Sequence, residues 1–158
     1  MLSSKATATV LVMKPSLNHS IQSYQQKLKY LMSFNYNIGG VNAEVIFDLI
    51  GDIIQKIEAL KALKNVIDTA YSLLNEEQKA VIKEVFYRFN SDLKTKRKLN
   101  MTRYTFEKVF KSGFERMSNN IAILGFDDER LIANFDKEPL FIESAERAVA
   151  RFYSKKNG

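Results

Sequence analysis

Apolar residues recur along most of this chain at the three-and-four spacing that lines one face of a helix. Ile21, Tyr24, Leu28 and Leu31 form the first stripe, with Gln and Lys between them, and predict an amphipathic helix over residues 18 to about 34. Residues 35–42, which contain Gly39-Gly40, read as a turn. A second and stronger stripe follows: Val45, Ile46, Leu49, Ile50, Ile53, Ile54, Ile57, Leu60, Leu63, Ile67, Tyr71 and Leu74. It predicts one long helix or two in succession. Gly51 inside it costs about 1 kcal/mol relative to Ala, so it is expected to mark close packing against a neighbour. The a/d character of the stripe suits a dimer as well as an intramolecular core.

Asn75-Glu76-Glu77-Gln78 reads as a capping box, with Val81, Ile82, Val85, Phe86 and Phe89 as the buried face behind it. Asn90-Ser91-Asp92 punctuates the chain. A long helix over residues 102 to about 124 is expected to bury Phe106, Val109, Phe110, Met117, Ile121 and Leu124. A short helix near residues 131–135 and a final one over about 138–153 complete the pattern, with Pro139 in a first turn where its missing N–H costs nothing. Before all of these, Val10, Leu11 and Val12 lie among Ser, Thr and Ala. A single strand there would have no partner, so residues 1–17 are expected to be a loosely held arm. The fold class that follows is all-α.

Composition bounds the rest. At 46% apolar and 27% charged, with eleven Phe and seven Tyr, the 158 residues hold enough large side chains for one core, which excludes wholesale disorder. The absence of cysteine excludes a disulfide framework, a thiolate nucleophile and a thiolate zinc site. The early apolar run at residues 8–13 is too short for a secretory core or a membrane span, so a cytoplasmic protein without a membrane partner is expected.

Charge changes the picture most. Residues 94–111 carry seven bases (Lys94, Lys96, Arg97, Lys98, Arg103, Lys108, Lys111) against one acid, Glu107, a balance of 7 − 1 = +6, equal to the net charge of the whole chain. The other 17 bases and 17 acids cancel. Such a segment, ending in a helix start at Thr102, suits a polyanion, because phosphate neutralisation supplies most sequence-independent affinity for nucleic acid. A solvated helical face is the plainer explanation of the same run. In a helix-turn-helix, however, the second helix presents its first residues to base edges while basic and hydroxyl groups hold phosphates. Arg103 suits a guanine edge, Thr102 and Thr105 a phosphate or a thymine methyl, and Lys111 a phosphate.

The run Leu74-Asn75-Glu76-Glu77-Gln78-Lys79-Ala80-Val81-Ile82, then Phe86-Tyr87, then Leu99-Asn100-Met101-Thr102-Arg103-Tyr104-Thr105-Phe106, with Gly113-Phe114 up to Met117, resembles the promoter-reading fourth region of bacterial sigma factors. In style it is closer to the phage and Gram-positive regulators of the ArpU kind and to mollicute sigma-like proteins. The resemblance covers under a third of the chain. It implies a helix-turn-helix in which Leu99, Met101 and Thr102 form the turn that introduces the recognition helix. The chain departs from the pattern at Thr95-Lys96, where such proteins have Ile-Ala. Either the helix around Leu93 and Leu99 packs poorly or is lengthened, or the motif is degenerate and these lysines hold phosphate from a loop.

Other candidate chemistry is sparse. His19, the only histidine, has no second His or Cys for a metal and reads as a cap or surface residue. Asp127, Asp128 and Glu129 lack calcium-loop spacing and read as helix-capping anions, while Glu143, Glu146 and Arg147 read as ordinary same-face pairing. No phosphate loop, nucleophile elbow or paired-carboxylate motif occurs, so no enzyme, cofactor or metal is expected.

The expected protein is a multi-helix bundle. It has an arm (1–17), a dimerisation or partner-binding part (18–74), a helix-turn-helix-like DNA-binding part (75–124) and C-terminal helices packing on the bundle (125–158). The function expected is transcriptional regulation on double-stranded DNA. Lys94, Lys96, Arg97, Lys98 and Lys111 hold phosphates, and Thr102, Arg103, Tyr104, Thr105 and Lys108 lie at the groove. A helical protein-interaction module, meeting RNA polymerase or a second copy through the stripe at 45–74, is the alternative, and binding of structured RNA a weaker third.

Overall fold

The computed structural model describes residues 1–33 and 43–153; the turn expected at residues 35–42 lies outside them. Among the described residues the chain is all-α. Its helices are α1 (Ser4–Met32), α2 (Ala43–Ser72), α3 (Glu76–Ile82), α4 (Asp92–Lys98), α5 (Arg103–Ile123), α6 (Asp128–Phe135) and α7 (Pro139–Ala148). Two π-helical turns, Lys83–Tyr87 and Val149–Tyr153, extend α3 and α7. The chain divides into two compact units, one of Met1–Pro15 with Asn65–Gly158 and the other of Ser16–Lys64. Both α1 and α2 contribute to each unit.

The largest departure from the sequence pattern is at the start of the chain. Residues 1–17 are not a loose arm. All of residues 7–13 are buried, as are Leu2 and Leu17. A helix apolar on every side belongs inside a bundle, and such a run has no periodicity to distinguish it from a strand or tail. The two threonines in it are satisfied locally, Thr7 Oγ1 donating to the Ser3 carbonyl at 2.8 Å and Thr9 Oγ1 to the Lys5 carbonyl at 2.8 Å. Leu2 is pinned by its carbonyl, which accepts from the buried Ser118 hydroxyl of α5 at 2.6 Å, and the Ser3 N–H donates to Asp128 Oδ1 at 2.9 Å. Pro15 ends this buried stretch; it removes the helical bond to the Leu11 carbonyl, and the division between the two units falls at the same residue.

Around that helix the first unit packs Ile67 and Ala70 of α2, Leu74 beyond its end, Val81, Ile82, Val85 and Phe86, Phe106, Met117 and Ile121 of α5, and Phe126, Leu131 and Phe135. α5 lies against α3 at Gly113, where a Cβ would meet Gln78 Cβ at 3.3 Å and Ile82 at 3.5 Å. The capping box forms as expected, the Gln78 N–H donating to Asn75 Oδ1 at 2.8 Å and the Asn75 N–H to Gln78 Oε1 at 3.0 Å. Gln78 Nε2 then donates to the Ser112 hydroxyl at 3.1 Å and ties the cap to α5. Asp127 caps α6 by accepting from the Arg130 N–H at 2.8 Å, and Pro139 occupies the first turn of α7.

The second unit pairs the later half of α1 with the earlier part of α2. Leu17, Ile21 and Leu31 are buried from α1, and Ile46, Ile53, Ile57, Leu60 and Leu63 from α2. The stripe of α2 is wider than this burial, and Val45, Phe47, Leu49 and Ile54 remain exposed. The close neighbour expected at Gly51 is missing among the described residues: a Cβ there would meet nothing within 4 Å.

Candidate nucleic-acid interface

Helices α4 and α5 are joined by residues 99–102. The turn is built by hydrogen bonds that the sequence supports. Asn100 adopts φ 54°, a left-handed conformation that Asn tolerates better than other non-glycine residues. Its N–H donates to the Arg97 carbonyl at 3.3 Å and the Met101 N–H to the Lys96 carbonyl at 2.9 Å, which closes the end of α4 as a Schellman motif. Thr102 then caps α5, its Oγ1 accepting from the Thr105 N–H at 3.2 Å.

α5 is amphipathic along its first four turns. Phe106, Gly113 and Met117 are buried, with Val109, Phe110 and Phe114 half-buried beside them. Phe86 of the first π-turn anchors that face, its ring centroid 5.9 Å from Phe110 and 5.8 Å from Phe114. At roughly 100° per residue, Tyr104, Lys108, Lys111 and Glu115 fall opposite the buried face. All four are exposed, Tyr104 at 74%. Arg103 and Glu107 lie to one side, joined by an exposed pair with Nε 2.9 Å from Oε1, which holds Arg103 only weakly.

α4 is organised differently. Its only buried residue is Thr95, whose Oγ1 donates to the Ser91 carbonyl at 2.9 Å, and Leu93 is exposed. The lysines of the basic run therefore lie on a helix and not in a loop. That helix lacks an apolar seam and is fastened by a charge. Glu84, buried in the first π-turn, accepts from Arg88 Nη1 at 2.7 Å, from Lys98 Nζ at 3.0 Å and from Asn90 Nδ2 at 2.6 Å. Burial pushes its carboxyl upward, but the hydrogen bonds from Lys98 and Asn90 and the charges of Arg88 and Lys98 outweigh that and hold it below the ordinary value. Ser91 caps α4 and Asp92 stands in its first turn, with Lys96, Arg97 and Lys98 in the last, so part of the run also follows the helix dipole.

The expected contact residues thus divide. Lys94, Arg97, Lys108 and Lys111 are exposed, and Lys96 half so; these five form no ion pair among the described residues. Lys98 is tied to Glu84, while the hydroxyls of Thr102 and Thr105 lie 3.0 Å apart and bond each other. Sequence reasoning missed Glu84. It also missed Arg151, which donates to the carbonyls of Val85 and Asn90 and lies 4.5 Å from the Phe89 ring centroid. Phe89 sits at φ 55°, strained for a bulky residue, and Arg147 stacks on it too, at 4.6 Å. Together these groups fix the connection leading into α4.

A cleft of about 360 Å³ opens beneath the starts of α4 and α5, lined by Ser91, Asp92, Phe106, Phe110, Arg151 and Phe152. Among the described residues no group of three or more His, Cys, Asp or Glu is placed to hold a metal ion, and no helix is long and apolar enough to cross a membrane. Comparisons with known protein families, with characterised proteins and with solved structures find no match to this chain.

Proposed function

We propose that the chain is a DNA-binding transcriptional regulator that docks the α4–turn–α5 segment on double-stranded DNA, in the manner of a sigma-like helix-turn-helix. The observation that carries this reading is the outward stripe of Tyr104, Lys108 and Lys111 on a helix whose opposite face is locked against α3. Shape and charge are supplied together. In this reading the start of α5 enters the major groove. Arg103, released from its exposed pair with Glu107, contacts a guanine edge, and Tyr104 lies along the groove wall. Lys94, Lys96, Arg97, Lys108 and Lys111 neutralise phosphates, Lys108 from the groove side of α5. Lys98 contributes by holding α4 in place through Glu84.

The sigma-like resemblance makes RNA polymerase the partner such a regulator would meet at a promoter, and the cytoplasm its place of work. Selection from random duplexes, followed by fluorescence anisotropy on the enriched site, tests the proposal. Arg103→Ala is expected to flatten the preference between enriched and scrambled duplexes, whereas Lys96→Ala weakens both alike. Failure to bind any duplex at low salt would overturn it.

A further inference from the structure

The cleft beneath the starts of α4 and α5 gathers groups that the DNA reading does not use. Its volume of about 360 Å³ is that of a small-molecule site. Three phenyl rings form its apolar part, Phe106 and Phe110 from α5 and Phe152 from the second π-turn. Ser91, Asp92 and Arg151 form its polar part. Arg151 gives one N–H each to the carbonyls of Val85 and Asn90, which leaves 5 − 2 = 3 of its N–H groups uncommitted. Asp92 is exposed, and its carboxylate enters no hydrogen bond or ion pair among the described residues. Burial lowers the pKa of the Arg151 guanidinium and the charge of Asp92 opposes that shift, so the two groups share one field without closing on each other.

We infer that the cleft binds a free aromatic α-amino acid, with its ring against Phe106, Phe110 and Phe152, its carboxylate on Arg151 and its ammonium on Asp92. Charge selects this class. A phosphate or a dicarboxylate would satisfy Arg151 but meet repulsion from Asp92, and an aromatic amine without a carboxylate would do the reverse. A zwitterion satisfies both. Its charged groups stand on one carbon with the ring a methylene away, so all three contacts fall at neighbouring points of one small cleft. Ser91 adds to the anion site: its oxygen accepts from the Lys94 N–H, and its own hydrogen remains to donate to the carboxylate. The rings select the side chain, because phenyl contacts at offset or edge geometry contribute beyond the apolar area they bury. An occupant here touches α4, α5 and the second π-turn together, and stabilises the folded chain by mass action.

The test titrates the full-length chain, without DNA, with L-phenylalanine and with analogues that each lack one group: phenylpropionate lacks the ammonium, L-phenylalanine amide the carboxylate and L-alanine the ring. Backbone amide resonances locate the binding and thermal melts register it independently. Expected are saturable shifts at Ser91, Asp92, Phe106, Phe110 and Arg151, a rise in melting midpoint, and binding at least about tenfold weaker for every analogue. Asp92→Asn should remove the advantage of L-phenylalanine over phenylpropionate, and circular dichroism separates that change from a loss of folding. No saturable shift up to about 10 mM L-phenylalanine overturns the inference. L-alanine or phenylpropionate binding as tightly overturns the ligand class, and shifts gathered away from the cleft overturn the site. A chain that binds L-phenylalanine and no duplex leaves this inference standing while refuting the proposed function.

Discussion

The salt dependence of DNA binding can be worked from the ion pairs. Seven bases lie in residues 94–111, of which Lys98 is bound to Glu84 and Arg103 to Glu107, leaving 7 − 2 = 5 to neutralise phosphates. Each neutralised phosphate contributes a slope of roughly 0.9 to the fall of log K with log salt, so five predict about −4.5. Between 50 and 200 mM salt that corresponds to a loss of about 500-fold in affinity.

The individual lysines make the prediction sharper than the sum. Lys94→Ala, Lys108→Ala and Lys111→Ala should each reduce the slope by about 0.9, with thermal midpoints near that of the parent because these side chains are exposed. Lys98→Ala should leave the slope unchanged and lower the midpoint, since it strips one donor from a buried carboxylate. Anisotropy titrations at four or five salt concentrations, paired with thermal melts, give both quantities. A slope shallower than about −1 for the parent refutes the five-cation interface. Equal slope losses for Lys98→Ala and Lys94→Ala refute the division of labour within α4.

Three further outcomes test the scaffold. Leu11→Ala in the buried first helix should cost about 2–5 kcal/mol and lower the melting midpoint by several degrees, whereas an arm would tolerate it with no measurable change. Gly113→Leu should separate α5 from α3 and abolish cooperative melting, because even a Cβ there meets Gln78 at 3.3 Å. Glu84→Gln should alter the acid limb of stability. The folded carboxyl is held below its ordinary value of about 4.3, so its contribution is complete above that value and disappears as pH falls through the lower folded value. The variant should be less stable than the parent at pH 7 and converge with it in acid, and a constant gap at every pH measured by urea denaturation would count against this account.

Much of this fold was legible because periodicity and capping chemistry are local. The stripe from Val45 to Tyr71 yields one helix, Asn75 and Gln78 close their box, and Asp127 and Pro139 start the helices their chemistry suggested. Burial on all sides is illegible by the same method. Leu2 and residues 7–13 lack an apolar stripe because they have no polar face, and the bonds that place them, from Ser118 and to Asp128, span more than a hundred residues. The site was legible in the same uneven way. Charge density located α4 and α5, and helical spacing placed Lys108 and Lys111 outward. Nothing in the spacing of Glu84 marks it as the acceptor for Arg88, Asn90 and Lys98.

That carboxylate also accounts for the departure at Thr95-Lys96. A first motif helix with Ile-Ala at those positions would hold its place by apolar burial. Here Thr95 occupies the buried site and spends its hydroxyl on the Ser91 carbonyl, so it adds a local bond and little buried apolar area. Seven residues are too few for a helix to persist alone, because nucleation costs more than one turn of hydrogen bonds returns. The missing stabilisation comes from outside: Ser91 caps one end, the Schellman turn closes the other, and Lys98 reaches Glu84. Such a helix keeps its remaining surface free for charge. With Thr95 and no apolar residue at its buried position, α4 leaves Lys94 and Arg97 exposed on a segment fixed at both ends, the arrangement that the proposed phosphate-binding helix needs.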